Sequence, residues 1–257
     1  MTGYNKILIE EAGSTTKVIL NRPDKKNSLD EEMIKELTDA FTVMSEDENI
    51  KNIILSGAGG NFCSGLYLDY LQKISEFDIL QNREDSNKFK EMLLAIYNCK
   101  KPVIAMVEGY ALAGGCGIAS ACDFIIASDQ SQFGYTEVKI GFIPAIVMVF
   151  LLKRVTETDA KDLLLTSRFI SGQEALDIGF ANYVTPQSGI EEFTMKLCED
   201  LNKMPMSSLV LTKEMFRNVS SMSFAAALDY AVNLNAITRM TEECKKGVKN
   251  FLSKNKK

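Results

Sequence analysis

The sequence predicts an α/β core followed by an all-helical C-terminal region. Short β-branched segments alternate with segments of helical period through the first half of the chain, and the strand pattern fades after residue 155. Alternation of this kind is typical of a sheet covered by helices. The 257 residues, 46% hydrophobic and 25% charged, have the composition of an ordinary globular protein.

The first elements are predicted from residue type and period. Residues 6–10 and 16–20 have the pattern of a strand pair. Ser28 and Glu31 have the spacing of a capping box, so a helix is predicted to begin there. Its apolar residues recur at helical period, at Met33, Leu37, Ala40, Phe41 and Met44.

Three further strands are predicted at residues 51–55, 102–107 and 124–127, and residues 89–97 have helical period. Two of these strands lead into glycine-containing loops. The core is therefore predicted to hold several buried strands, with loops that can present backbone groups at their ends.

The C-terminal region is predicted from caps and period. Ser171 and Glu174 form a second capping box, and Gly179 is the predicted stop of that helix. Four helical segments follow, at residues 190–203, 206–219, 223–240 and 241–253. The third has an apolar face that we expect to be buried against the core or another subunit: Phe224, Leu228, Ala231, Leu234 and Ile237.

Composition excludes several classes of function. The formal charge of −5 argues against a general nucleic-acid binder, which needs clustered positive charge. The chain has no histidine, which excludes Ser-His-Asp and Cys-His triads and histidine-ligated metals. Acid–base chemistry is therefore left to Asp, Glu, Lys, Tyr or Cys.

Cysteine usage and the chain start indicate a compartment. The six cysteines include no C-x-x-C pair, so no metal site is predicted and the protein is expected to be reduced and cytoplasmic. The chain starts without the pattern of a signal peptide, and no apolar run approaches the roughly 18 residues of a membrane span. No membrane partner is expected.

Two glycine-bearing loops, residues 57–65 and 109–117, each follow a predicted strand and lead into helical sequence. Such loops can present backbone N–H groups at a helix N-terminus, where an anion is stabilised. Neither is a P-loop, because Leu66 stands where the motif requires lysine. Each loop alone is more simply a turn, whereas the two together allow a pair of oxyanion donors.

Glu137 is a single carboxylate within the apolar and aromatic segment 133–144. It is either a helix-start glutamate that interacts with the helix dipole or a carboxylate whose pKa is raised by an apolar pocket. In the second case it can accept and return protons.

Taken together, these segments resemble the crotonase, or enoyl-CoA hydratase/isomerase, superfamily. The resemblance extends from LNRPDKKNSL through NFCSG, KPVIAMVEGYALAGGCGIASACDFIIAS and FGYTEVKIGFIPA to ISGQEALDIGFANYV. It implies a crotonase-like spiral of repeated ββα units over residues 1–200 and a helical trimerisation region over 201–257. It also implies homotrimers or dimers of trimers.

The resemblance also implies the site. The oxyanion hole is expected at the backbone N–H groups of Ser64 and Gly114, and Glu137 matches one of two family glutamates. The other glutamate falls at Gly117, which is the main departure from the family. Pro144-Ala145-Ile146 replaces the usual Pro-Gly-Gly and is a second one.

Substrates are expected to be thioesters of coenzyme A or of acyl carrier protein, with no permanently bound cofactor. Space at Gly117 and the one-glutamate pattern, which resembles 3-methylglutaconyl-CoA hydratase, favour a branched acyl group. The residues expected to contact substrate or coenzyme A are Lys25, Lys26, Phe62, Ser64, Leu66, Gly114, Gly115, Gly117, Tyr135 and Pro144.

The expected activity is hydration or dehydration of an enoyl thioester through Glu137. Three alternatives stay open: a Δ3,Δ2-enoyl-CoA isomerase, a dehydratase acting on a carrier-protein-bound 3-hydroxy-3-methylglutaryl group, and a non-catalytic acyl-CoA-binding protein.

Overall fold

The computed structural model describes residues 3–254. Its strands, in chain order, are β1 (Ile7–Ala12), β2 (Thr15–Leu20), β3 (Asn52–Gly57), β4 (Val103–Val107), β5 (Tyr110–Leu112), β6 (Phe124–Ser128), β7 (Gln132–Gly134), β8 (Phe169–Ser171) and β9 (Tyr183–Thr185). Its α-helices are α1 (Glu31–Glu46), α2 (Leu68–Ser75), α3 (Ile79–Tyr97), α4 (Gly114–Ala121), α5 (Ala145–Leu151), α6 (Glu157–Thr166), α7 (Gly172–Asp177), α8 (Ile190–Asn202), α9 (Met206–Val219), α10 (Phe224–Met240) and α11 (Glu242–Lys254).

The strands form two sheets. The larger has the order β1-β2-β3-β4-β6-β9 and is parallel except for the β1–β2 hairpin, which confirms the predicted strand pair. The smaller has the order β5-β7-β8, with β5 and β7 parallel. Both sheets alternate with helices along the chain, as the α/β prediction requires.

Helices cover the larger sheet on both faces. Ile53 and Leu55 of β3 face the main core, which also contains the apolar side of α1. Ile54, between them, faces the opposite way and packs with Ile190 and Cys198 of α8. Because successive side chains of a strand point to opposite faces, an almost continuous apolar strand is buried on both sides.

The start of α1 differs from the prediction. Asp30, not Ser28, is the N-cap, and its carboxylate accepts the Met33 N–H at 2.9 Å. The Ser28 hydroxyl is buried and has no partner among the described residues. The periodic residues themselves are all buried, so the helix was predicted correctly and its cap was placed two residues too early.

The other predicted helices are present. Ser171 is the N-cap of α7 and accepts the Glu174 N–H at 3.2 Å, although the Glu174 side chain pairs with Arg168 instead of completing the box. The four C-terminal segments correspond to α8, α9, α10 and α11. The division at residue 200 stays a prediction, and residues 255–257 of that region lie outside the described part.

The apolar face of α10 is not buried within the described chain, contrary to one of the two predicted arrangements. Leu234 is 8% exposed, whereas Phe224 is 82% and Ile237 57% exposed. The helical region is joined to the core through α9, where the Lys213 ammonium bonds the Asp123 carboxylate and the Lys101 carbonyl. The described residues include no helix with the length and hydropathy needed to cross a membrane.

Candidate active site

Helix α4 begins with a sharp turn after β5. Ala113, its N-cap residue, has φ 48° and ψ −116°, a conformation that L-residues rarely adopt. The Ala113 N–H donates to the Gly134 carbonyl at 2.7 Å, which ties this turn to β7. The turn directs the first amides of α4, beginning with Gly114, away from the helix, where they have no intrahelical acceptor.

The glycine loop 57–65 lies alongside this turn. Cys63 pairs with Ala111, donating to the Tyr110 carbonyl at 2.9 Å and accepting from Leu112 at 2.9 Å. The next amide points the other way: the Ser64 N–H donates to the Lys26 carbonyl at 3.0 Å. Ser64 was predicted to supply an oxyanion donor, and in this structure its N–H is already engaged, so that prediction is wrong.

The amide of Leu66, unlike that of Ser64, has an orientation that leaves its N–H free, among the described residues, to bind an oxyanion. It forms a parallel bridge to Leu29 through the flanking groups, since Leu29 donates to Gly65 at 2.7 Å and Tyr67 donates to Leu29 at 2.8 Å. In such a bridge the N–H of the central residue faces the opposite side. The Leu66 N–H has no acceptor among residues 3–254.

The Leu66 and Gly114 loops are in contact. Gly65 has φ 89°, and a Cβ placed there lies 3.1 Å from the Ala113 Cβ and 3.6 Å from the Gly114 nitrogen. Only glycine allows this combination of left-handed backbone and close approach. The Leu66 and Gly114 N–H groups, for which the described residues provide no acceptor, are thereby brought to neighbouring positions.

The small sheet carries the segment before Glu137 past the start of α4. The β5–β7 register pairs Leu112 with Gly134, so the chain that leaves β7 passes the start of α4 and enters a 3-10 turn at Glu137–Ile140. Gly141, with φ 81°, ends the turn, and Phe142 donates to the Glu137 carbonyl at 3.0 Å. The backbone of Glu137 is therefore well defined.

The Glu137 carboxylate is in an unusual state. Its Oε2 atom is buried and has no hydrogen-bond partner among the described residues. Burial raises the pKa of Glu137 above its ordinary value, and hydrogen bonds from its own backbone and that of Thr136 oppose this only in part. A half-buried carboxylate with a raised pKa and one free oxygen is suited to proton transfer.

The space beside two site glycines is filled. A Cβ on Gly115 would lie 2.2 Å from the Cys63 carbonyl oxygen, and one on Gly117 would lie 2.5 Å from Cγ1 of Val147. Gly115 thus allows the two loops to pack together, and its contact with a thioester stays a prediction. The expectation that Gly117 provides space for a branched acyl group is likewise wrong, because Val147 occupies that space.

Two other predicted contact residues lie in the core. Tyr135 is 2% exposed, which raises the pKa of its hydroxyl well above the ordinary value, and Phe62 is fully buried. The Phe62 N–H donates to the Glu108 carbonyl at 2.8 Å. Both side chains are covered in this structure, and the Tyr135 hydroxyl has no hydrogen-bond partner among the described residues, so contact of Tyr135 with a substrate stays a prediction.

Lys25 and Lys26 are exposed on the loop between β2 and α1. The Lys26 ammonium lies 4.6 Å from the centre of the Tyr110 ring, and the Arg22 guanidinium lies 4.6 Å from that of Tyr67. The basic groups are therefore close to both glycine loops. Pro144 is half-buried and is the N-cap of α5.

Sequence reasoning missed two features. The role of the Leu66 N–H depends on the directions of consecutive amides. Successive N–H groups of an extended segment point to opposite sides, and this alternation after Cys63 was a partial signal in the sequence. The position of Val147 depends on a contact between α4 and α5; its signal was the altered Pro144-Ala145-Ile146 segment.

This fold and paired glycine loops are those of the crotonase class. Residues 10–257 match the family described as enoyl-CoA hydratase/isomerase. A Bacillus anthracis enoyl-CoA hydratase structure has a TM-score of 0.91 and 28% identity, covering 97% of both chains. A Mycobacterium smegmatis enoyl-CoA hydratase structure has a TM-score of 0.93 and 25% identity, also covering 97% of both.

Relatives found by sequence comparison point to the same family as the solved structures. A Thermus thermophilus protein, whose name assigns it provisionally to the enoyl-CoA hydratases, is 35% identical over 244 residues, 95% of this chain and 96% of its own. The crotonyl-CoA hydratase of Syntrophomonas wolfei is 28% identical over 255 residues, 98% of this chain and 97% of its own. The chain belongs to the enoyl-CoA hydratase/isomerase family and is an enzyme of the crotonase fold.

Proposed function

We propose that this enzyme is an acyl-thioester lyase of the enoyl-CoA hydratase type, with Glu137 as its acid–base residue. The supporting observation is the buried, unpartnered Oε2 of Glu137, carried by β7 to the start of α4. The amides of Leu66 and Gly114 bind the thioester oxygen. Gly114 keeps the role expected from sequence, and Leu66 replaces Ser64 because the Ser64 N–H is engaged.

The chemistry requires these groups. When water adds to an enoyl thioester, its oxygen bonds to the β carbon and the π electrons move to the thioester oxygen. The Leu66 and Gly114 N–H groups stabilise that negative charge, and removal of such a donor costs about 3–4 kcal/mol in comparable sites. Glu137 accepts the water proton and returns it to the α carbon, which restores the carbonyl.

Coenzyme A enters as part of the substrate, and no permanent cofactor takes part in this scheme. Lys25 and Lys26 form a basic pair beside Tyr67 and Tyr110, suited to the phosphates of the nucleotide, whereas the Arg22 guanidinium is paired with Asp30. The acyl group itself is not assigned, because Val147 removes the argument for a branched chain.

A trimer, alone or paired as a hexamer, is proposed for the assembly. Large apolar side chains of the last three helices are exposed in the single chain, among them Phe216 at 73% and Phe251 at 68%. Exposed apolar patches of this kind mark contacts between proteins. All six cysteines are free, which accords with a reducing compartment such as the cytoplasm.

The decisive experiment compares wild type with Glu137→Gln on crotonyl-CoA and a set of enoyl thioesters. We expect kcat to fall at least 100-fold, with thioester binding and folding retained, because one acid–base residue supplies about 10²–10⁴-fold. Glu191→Gln, which alters a glutamate paired with Lys17 at the surface, is the matched control. Unchanged turnover in Glu137→Gln contradicts the proposal.

A second candidate, the Δ3,Δ2-enoyl-CoA isomerase, is favoured by one observation. A single carboxylate is sufficient to move a proton between two carbons, and position 117 has no side chain. Solvent oxygen at the β carbon of the product indicates hydration, whereas a shifted double bond without added oxygen indicates isomerisation. Binding of thioesters without turnover of any indicates a non-catalytic protein.

A further inference from the structure

Gly117 and Val147 meet across the contact between α4 and α5. A Cβ built on Gly117 lies 2.5 Å from Val147 Cγ1 and 3.4 Å from Val147 Cβ, with Leu93 Cδ1 next at 3.7 Å. The φ of Gly117 is not positive, so its backbone accepts any residue. What excludes a side chain at 117 is therefore the valine and not the main chain.

Val147 has little freedom to move aside. It is 4% exposed and part of the main core. The helix that carries it is held by Phe150, whose ring makes an edge contact with the Tyr97 ring of α3 at 5.6 Å. A β-branched valine in a helix has one strongly preferred χ1, so rotation does not clear the space.

We propose that Val147 is a specificity-determining residue, which occupies the position of a second carboxylate and restricts the site to chemistry that Glu137 performs alone. This rests on the proposed function. Gly117 is the small member of the contact and lies on α4, the helix that begins with the Gly114 amide. Val147 is the large member, and its side chain extends from α5 into the space beside Gly117.

The pair has a chemical consequence. In the two-carboxylate route, one carboxylate takes a proton from water as its oxygen bonds to the β carbon, and a second carboxylic acid supplies the proton to the α carbon. With valine in the second position, an apolar methyl group faces that volume. Glu137 must then both take and return the proton, so hydration of a simple straight chain is slow.

The first test measures the contact itself, in a cycle of Gly117→Ala, Val147→Ala and the double variant. Gly117→Ala alone inserts a Cβ 2.5 Å from a fixed methyl group and should lower Tm by about 3–8 °C, although alanine favours a helix. In the Val147→Ala background, Gly117→Ala should leave Tm unchanged or raise it. Equal effects in both backgrounds overturn the proposal.

The second test exchanges the pair. The variants Gly117→Glu, Val147→Gly and the double variant are assayed on crotonyl-CoA in ¹⁸O-labelled water. The double variant should hydrate at least 10-fold faster than wild type and than either single variant. A folded double variant with no gain, or a Gly117→Glu variant that gains as much alone, overturns the role of Val147.

Failure of this inference and failure of the proposed function are distinguishable. The alanine cycle reports on folding alone and is valid even if the protein turns over no thioester. If wild type hydrates an enoyl thioester through Glu137 while the cycle shows no coupling, the proposed function stands and the role of Val147 does not. If the Gly117→Glu and Val147→Gly double variant does not fold, the Gly117→Glu and Val147→Ala double variant takes its place in the same hydration assay.

Discussion

The guanidinium of Arg154 donates from Nε to the carbonyl oxygen of Ser120 at 3.0 Å. It also donates to the carbonyls of Cys122 and Phe180. Burial lowers the pKa of this arginine, and no carboxylate pairs with it among the described residues. Arg154 thus caps the C-terminal end of α4, where a positive charge is favourable, and holds the helix whose other end carries Gly114.

Replacing Arg154 should therefore be costly. Arg154→Met leaves three buried carbonyls without donors, which should lower the free energy of unfolding by about 2–4 kcal/mol. Tm should fall by about 5–12 °C, as measured by calorimetry. Arg168→Met is the matched control, since Arg168 is paired with Asp162 and Glu174 at the surface. A cost no larger than that of the control contradicts the capping role.

The pKa of Glu137 predicts two pH dependences. Because burial raises it, kcat/KM should rise with pH along an acid limb centred above 4.5, the ordinary value. Stability should run the other way: the protonated form favours the folded state below pH 4.5, and this contribution is lost as pH rises through the folded pKa.

Glu137→Gln should consequently raise Tm at pH 7 by about 1–3 °C, a small effect because the side chain is partly exposed. The difference from wild type should shrink towards pH 4. Melting curves across this range provide the measurement, and a Tm that falls at pH 7 would show that the carboxylate is stabilised by its surroundings.

Ala113 carries strain that glycine should release. For a residue with a Cβ, a φ of 48° with a ψ of −116° costs about 1–3 kcal/mol in the folded state. Glycine removes this strain but loses more conformational entropy on folding, which costs about 0.5–1 kcal/mol. Ala113→Gly should thus raise stability by about 1 kcal/mol, measured by urea denaturation. Ala119→Gly, inside α4, is the control and should destabilise; a similar loss in both variants contradicts the assignment of strain.

Thiol reactivity should follow burial. Five cysteines are buried, and burial raises the pKa of Cys63 and of Cys198 to about 12. Cys244 is half-buried. Since the thiolate is the reactive form, a disulfide reagent should label at most one thiol quickly in the native protein and all six after unfolding. If a thiol of native Cys244→Ser is still labelled rapidly, reactivity does not follow burial and the prediction is wrong.

Much of the fold was predictable because its signals are local. The apolar period of α1 and of the C-terminal helices can be seen in the sequence, whereas β5, β7, β8 and β9, of three residues each, are too short to show a period. The N-cap was misplaced because Ser28 and Asp30 are both good caps and only tertiary contacts choose between them.

The site was predictable to the level of its loops. Gly114 begins α4 after the second glycine loop and Glu137 begins the turn after β7, and their catalytic roles stay predictions. The amide of Leu66, and not that of Ser64, is left without an acceptor among the described residues because of the left-handed Gly65 and the bridge to Leu29. The space beside Gly117 is occupied by Val147, a side chain of another helix. Such relations between distant segments leave no period in the sequence.

The position of α8 has a consequence for how the protein is made. One face of the sheet, with Ile54, Ile104 and Ile126, is covered by Ile190 and Cys198. A nascent chain therefore emerges from the ribosome with these strands complete and one side still bare, until α8 has been synthesised. Over that interval the exposed isoleucines are a binding surface for chaperones and a hazard for aggregation.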